Sequence, residues 1–328
     1  MSEPLLKVSN LRTAFSTARG LVQAVDDVSF DLQPGRTLAV VGESGLGKSV
    51  LSRSIMGLLP RNAVAAGQVL LNGRDLRALP ERALRQVRGR EVSMVFQDPM
   101  TALTPTMTIG KQIIETLVVH LGMPKAAARE KALALLASVG MPQPAIRIDN
   151  YPHQLSGGMR QRVAIAIAMA CEPALIIADE PTTALDVTVQ AEILDLLHRQ
   201  VRQRNMSMIL ITHDMGIVAG RADDVAVMYA GRIVEQAPVR ALFRKTRMPY
   251  TAALFASIPR MDGGRQRLEA IAGRPPDLVN RPTGCSFRPR CRYAVADCAL
   301  QAPPLEARGG HRVACWHPLP DPALEEVR

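Results

Sequence analysis

Apolar residues along this chain change period several times, and each change marks an element. Leu5 to Leu11 alternate loosely and Val22 to Leu32 carry an apolar run around Asp26-Asp27. Thr37-Leu38-Ala39-Val40-Val41 is a short, wholly buried pattern, so residues 5 to 41 read as strands, with Pro34-Gly35 turning the chain before the last. A helix is expected from Ser49 to about Leu59, stopped by Pro60, with further strands at Leu70-Leu71 and Val92 to Phe96. From Lys111 the period becomes helical. Ile113, Ile114, Leu117, Val118 and Leu121 share one face, and a second helix ends near Val139 with Gly140 as its cap. A helix after Ser156, a buried strand at Leu175 to Ala178, a helix over Val189 to Arg204, a strand at Ser207 to Thr212 and a strand pair near Val225 to Val234 follow. Strands alternating with helices predict an α/β fold with a parallel or mixed sheet covered on both faces, interrupted by a helical insertion over Lys111 to Tyr151. After Ala237-Pro238 prolines and glycines multiply and the periodicity fades, which predicts a separate, loop-rich extension.

Composition narrows the function classes. The 328 residues allow two or three cores, and 3% aromatic content argues against a base-stacking surface for nucleic acid. The longest uncharged stretch, Ala132 to Ile146, is broken by Gly140, Pro142 and Pro144 and falls short of the ~20 apolar residues of a membrane span. Met1-Ser2-Glu3-Pro4 has no signal-peptide pattern, so a soluble, unexported chain is expected. The net charge is +10, and from Val239 onward 15 Lys and Arg face 8 Asp and Glu. No run of five or six like charges occurs, so this excess reads as a solvated Arg-rich surface rather than a lipid-binding one.

The chemistry sits at strand ends. Gly42-Glu43-Ser44-Gly45-Leu46-Gly47-Lys48-Ser49 fits G-x-x-x-x-G-K-[ST] between an apolar strand and a helix. Glycines there let successive N–H groups turn toward phosphate oxygens, the helix N-terminus adds positive potential, Lys48 suits the β- and γ-phosphates and Ser49 suits Mg²⁺. Asp179 ends an apolar strand and suits the same Mg²⁺; Glu180, next to it, is placed to orient or deprotonate a water. Gln97 follows a strand at the junction with the insertion, where it can touch Mg²⁺ or the attacking water. His213 follows the strand Met208 to Ile211, where an imidazole can bond a γ-phosphate. Ser156-Gly157-Gly158 opens a helix with unpaired N–H donors.

This ordered set resembles the nucleotide-binding subunit of ABC transporters over roughly residues 5 to 237. The resemblance implies a P-loop NTPase core over 1–237 with a helical subdomain at about 100–155. It implies ATP hydrolysis with Glu180 as catalytic base, Gln97 as the Q-loop residue, His213 as the switch histidine and Ala184-Leu185-Asp186 as the D-loop. Leu155 to Met159 would face the γ-phosphate held by a partner subunit's phosphate loop. Phe15 occupies the place of the residue that stacks on adenine, a core Phe being the competing reading. The extension, 238–328, carries Pro249-Tyr250-Thr251, Ile258-Pro259, Gly273-Arg274-Pro275-Pro276 and Gly284-Cys285-Ser286-Phe287-Arg288-Pro289-Arg290-Cys291, and looks like that of dipeptide and oligopeptide importer ATPases. The chain departs from the family pattern at Leu46, Ala102, Thr104 and Met248, none of which removes a catalytic group.

The implied partners are a second ABC ATPase subunit, identical or homologous, two transmembrane permease subunits and an extracytoplasmic solute-binding protein, with the chain on the cytoplasmic face of the inner membrane and no nucleic acid bound. Nickel, glutathione or another small solute are the alternative cargoes. The extension's four cysteines, Cys285, Cys291, Cys298 and Cys315, follow C-x5-C-x6-C-x16-C. Four thiolates can surround Zn²⁺ or an iron–sulfur cluster, or stand as free thiols in a reducing cytosol. Some members of the resembled family carry a 4Fe–4S cluster at such positions, and a soluble ABC ATPase with an iron–sulfur sensor tail is the reading from another class. Cys171, at the end of an apolar helix, reads as a small core residue.

Overall fold

The computed structural model describes residues 3–183, 185–257, 271–308 and 310–320. The chain divides into two compact units that interleave along the sequence. The first comprises residues 1–5, 32–36 and 78–210, the second residues 6–31, 37–77 and 211–328.

In the first unit, Val92–Val95 pairs in parallel with Leu175–Asp179, with Val92 opposite Leu175 and Val95 opposite Ala178. The strand Ser207–Thr212, whose first four residues belong to this unit, lies on the other side of Leu175–Asp179. Every residue of these strands is buried, which explains their apolar sequences. The helical stretch expected from residue 111 forms as Ile109–Leu121 and Lys125–Ser138, with a short Pro144–Arg147 turn of helix after them. Its inward face differs from the pattern. Ile109, Ile113 and Leu117 are buried, but Leu121 is exposed and Gln112 is buried instead. The Gln112 amide accepts from the Thr104 N–H at 2.9 Å and donates to the Thr104 and Met107 carbonyls, each at 3.0 Å. A buried amide is tolerated when its hydrogen bonds are made, and these hold the preceding loop. Helices Gly157–Met169 and Val187–Gln203 complete the unit. Cys171 is buried, as a small core residue would be.

The second unit carries two sheets. One runs in the order Gly20–Leu32, Leu6–Thr17, Ala63–Leu71, Arg74–Asp75. The strand Ala63–Leu71 is longer than its apolar end Leu70-Leu71 suggested, because Ala65, Ala66 and Gly67 give no alternation to read. The other sheet runs Glu306–Arg308, His311–Val313, Arg232–Pro238, Asp224–Tyr229, Thr37–Val41, with the last two parallel and the rest antiparallel. The helix after Thr37–Val41 spans Lys48–Met56 and stops at Gly57, three residues before Pro60.

The extension is more ordered than its composition suggested. It forms helices Val239–Arg244 and Pro249–Ala256 and a hairpin whose strand His311–Val313 pairs with Arg232–Pro238, placing Glu235 opposite Val313. Gly310, read as a loop signal, sits in the hairpin turn with φ 79°. Tyr250, Leu254 and Phe287 of the extension are buried in one cluster with Val41, Val227 and Tyr229 of the sheet. Two of the four departures from the family pattern lie inside this unit's core: Leu46 and Met248 are both 2% exposed.

Asp26 ties the extension to the first strands of the unit. Its carboxylate accepts from Arg232 Nε at 2.7 Å, from Arg281 Nη1 at 2.8 Å and from Gln23 Nε2 at 2.8 Å. Arg281 also donates to the Gln23 carbonyl. Burial pulls the Arg281 pKa below its ordinary value, with Asp26 opposing the shift. Asp26→Ala leaves the largely buried Arg281 guanidinium without its carboxylate partner and should cost about 3 kcal/mol, the low end for breaking such a pair. A urea denaturation series showing a loss below ~0.5 kcal/mol would refute this anchoring.

Candidate functional site

In the second unit the strand Thr37–Val41 delivers the chain into the loop Gly42 to Ser49. Gly42 has φ 154° and Gly47 φ 100°. A Cβ at Gly42 would lie 2.2 Å from the Met228 carbonyl oxygen, and one at Gly47 would lie 2.0 Å from the Ala24 carbonyl oxygen. No side chain fits there, so the two glycines are a steric requirement of the loop. Leu46 turns its side chain into the core, and its carbonyl accepts from the Gly231 N–H at 3.1 Å. Ser44 and Gly45 are exposed at the loop tip, and Ser49 is half-buried in the first turn of the helix. The Lys48 side chain folds back, its Nζ donating to the Gly42 and Glu43 carbonyls at 2.8 and 3.0 Å. Such a loop, a fixed backbone ahead of a helix N-terminus with an ammonium folded over it, is a receptor for a polyphosphate.

Glu43 is held on three sides. Its N–H donates to Tyr250 Oη at 3.0 Å, and its carboxylate takes Arg290 in a bidentate pair at 2.7 and 3.0 Å. The sequence marks Tyr250 and Arg290 only as part of the extension's motifs; their hold on Glu43, 207 and 247 residues away, has no local pattern to reveal it. Phe15 is half-buried on the strand Leu6–Thr17, opposite Ala63. His213 is exposed just beyond the strand Ser207–Thr212, before Asp214, which caps the helix Met215–Val218 through the Gly216 N–H.

In the first unit Asp179 closes its strand 2% exposed. Glu180 follows with φ 44°, a left-handed conformation that few non-glycine residues adopt and that often marks functional positions. Its carboxylate accepts from Gln97 Nε2 and from Thr183 Oγ1, both at 3.2 Å. The Gln97 side chain therefore meets the carboxylate, and Thr183 is a second contact that sequence reading missed. Ser156 caps the helix Gly157–Met169, accepting from the Met159 N–H at 3.3 Å. A Cβ at Gly158 would come within 2.8 Å of Val189 Cγ1, so that glycine permits the close approach of helix Val187–Gln203. Asp186 caps that helix through the Val189 N–H at 2.9 Å. Ala184, and Ile258-Pro259 in the extension, lie outside the described residues.

The four extension cysteines are free. The Cys285 N–H donates to the Cys298 carbonyl at 2.8 Å, and Cys315 lies close enough to feel the charge of the other three. Burial raises the pKa of Cys285 and Cys291 and pushes Cys315 up to about 11. Although the thiols are near one another, no group of three or more His, Cys, Asp or Glu side chains among the described residues is arranged to hold a metal ion. No helix among them is long and apolar enough to cross a membrane.

Comparison with known proteins places these features in a family. The model described as "ABC transporter" matches residues 25–183, and that described as "Oligopeptide/dipeptide transporter, C-terminal region" matches residues 234–298. The chain is 50% identical to the dipeptide transport ATP-binding protein DppD of Bacillus subtilis (strain 168), covering 96% of this chain and 95% of that protein. It is 49% identical to the oligopeptide transport ATP-binding protein OppD of Salmonella typhimurium, with 96% and 94% covered. Among solved structures, the dimeric ATP-binding cassette MJ0796, in a post-hydrolysis state bound to ADP and Pi, matches with TM-score 0.64 and 26% identity over 72% of this chain and 99% of that one. The structure of cbiO1 from Clostridium perfringens, part of the ABC transporter complex cbiONQ, matches with TM-score 0.62 and 28% identity over 74% of this chain and 91% of that one.

The thiol environment makes a direct expectation. Thiolate is the reactive form, so metal-free Cys315 should alkylate slowly at neutral pH and accelerate steeply toward about pH 11. Iodoacetamide labelling resolved by mass spectrometry measures this; a neutral-pH rate equal to that of free cysteine would contradict the buried environment.

Proposed function

The chain belongs to the ABC transporter family, among its dipeptide and oligopeptide transport ATP-binding subunits, and on that premise we propose how its residues drive import. Its reaction is hydrolysis of ATP to ADP and phosphate, coupled to peptide uptake. Lys48 is the observation that carries the reading: a buried ammonium folded over a loop whose backbone no side chain could replace. When ATP enters, Lys48 exchanges its two carbonyl partners for β- and γ-phosphate oxygens, and the loop N–H groups take the remaining charge. Phe15, half-buried, offers its ring to adenine. The Ser49 hydroxyl, Asp179 and Gln97 are the residues that would hold Mg²⁺, which would supply neutralisation of the charge developing at the γ-phosphate.

Glu180 acts as general base. Gln97 and Thr183 fix its carboxylate, so a water between it and the γ-phosphorus meets an oriented acceptor. His213 bonds the γ-phosphate. A second copy or a homologue supplies the other half of each site: Ser156, Gly157 and Gly158, with the N–H groups of their helix, face the γ-phosphate held by the partner's loop, and Asp186 lies at the joint. Two permease subunits receive the motion through the helices following Gln97, and a solute-binding protein delivers the peptide. The chain works from the cytoplasmic face of the membrane as a peripheral subunit. In the extension, Cys285, Cys291, Cys298 and Cys315 would be the ligands of an iron–sulfur cluster, but as arranged they do not form a metal site.

Replacing Glu180 by Gln should lower phosphate release by about 10²- to 10⁴-fold while leaving ATP-driven dimerisation intact. Released phosphate and size-exclusion profiles with and without ATP measure the two effects. Unchanged turnover would reject Glu180 as the base, and full turnover by a strictly monomeric chain would reject the paired site.

A further inference from the structure

The phosphate loop of this chain carries a carboxylate, Glu43, at its second position. An unpaired carboxylate beside a triphosphate repels it, and the repulsion grows where water is excluded. The extension answers this charge. Arg290 Nη1 and Nη2 grip both Glu43 oxygens at 2.7 and 3.0 Å, and the Arg290 side chain is only 5% exposed. The guanidinium is itself fixed, with Nε donating to the Ala272 carbonyl at 2.9 Å and Nη1 lying 3.4 Å from Tyr229 Oη. Burial works against its charge, yet Glu43 and Tyr229 raise its pKa above the ordinary Arg value.

The backbone is held as well as the charge. The Glu43 N–H donates to Tyr250 Oη, and Tyr250 is fully buried against Tyr229, with ring centroids 4.4 Å apart, and against Phe287 at 5.3 Å. Through these contacts the extension meets the loop one residue before Ser44, where the chain turns toward its exposed tip. The Glu43 carbonyl also receives Lys48, so the residue that parks the ammonium is the residue the extension grips.

We propose that Arg290 and Tyr250 are positioning residues for the phosphate loop, so that the C-terminal extension sets the affinity of this chain for ATP. Arg290 removes the repulsion of Glu43 toward the nucleotide, and Tyr250 fixes the backbone on which the loop turns. Neither touches ATP; both act through Glu43. The inference rests on the ATPase reading above and adds to it a dependence on residues outside the nucleotide-binding motifs.

The test is a double-mutant cycle in the full-length chain, with ATP KM and kcat from phosphate release and ATP Kd from a fluorescent analogue. Arg290→Met should raise KM and Kd about tenfold with a smaller change in kcat, because the lost contact acts on binding. Adding Glu43→Gln to it should recover most of that loss, since the unpaired charge is removed with its partner. Arg290→Lys should fall between. Tyr250→Phe keeps the ring packing and deletes only the hydroxyl; it should raise KM about threefold with an unchanged melting temperature, and it decides the matter if Arg290→Met fails to fold. Unchanged KM in Tyr250→Phe together with folded Arg290→Met, or a double variant no better than the single one, would overturn the proposal. Wild-type hydrolysis abolished by Lys48→Ala in the same assay establishes the underlying reaction; its absence in the wild type would instead sink the ATPase reading.

Discussion

Backbone approach is the constraint on which the catalytic loop depends. Gly42 and Gly47 lie against the carbonyls of Met228 and Ala24 at separations that leave no room for a Cβ. The loop is therefore pressed onto its neighbours, and its N–H groups acquire their directions from that contact. Leu46 strengthens the same attachment by placing its side chain in the core. The charge-bearing parts of the site, Lys48 and the helix start behind it, are useful because this backbone does not move beneath them.

The same economy of space recurs in the first unit. Gly158 admits helix Val187–Gln203 to within contact of the helix that Ser156 opens, and Asp186 caps the incoming helix. The Glu180 carboxylate sits just upstream, on a residue in a left-handed conformation that costs energy, and is held by Gln97 and Thr183. Short-range packing thus brings helix Gly157–Met169 against helix Val187–Gln203, while Glu180 is braced by Gln97 and Thr183. Ser156 and Asp186, which have a chemical role in the proposed mechanism, are also the capping residues of their helices.

The extension gains its order from a small number of strong contacts rather than from a large core. Phe287 meets Tyr229 edge to face while Tyr250 lies tilted against both, Glu235 accepts the Arg247 and Met248 N–H groups, and Asp26 pairs with Arg232 and Arg281. The hairpin Glu306–Arg308 and His311–Val313 covers what would otherwise be the open edge of Arg232–Pro238. A Pro-rich segment with few apolar runs is ordered by such borrowed contacts, and this is why its Arg290 can be placed firmly enough to grip Glu43.

Much of this was legible in the residues alone. The strands Thr37–Val41 and Leu175–Asp179, the helices after Lys48 and after Ser156, and the identities of Lys48, Asp179 and Glu180 follow from local pattern, because burial on both faces and phosphate-loop geometry each impose a residue type on a fixed spacing. What local pattern could not carry was pairing across the chain. Gln112 replacing Leu121 on a buried face, the hairpin hidden behind Gly310, the Asp26 cluster and the hold of Tyr250 and Arg290 on Glu43 depend on segments up to some 250 residues apart. Periodicity records which side of an element is buried; only the folded chain decides what it is buried against.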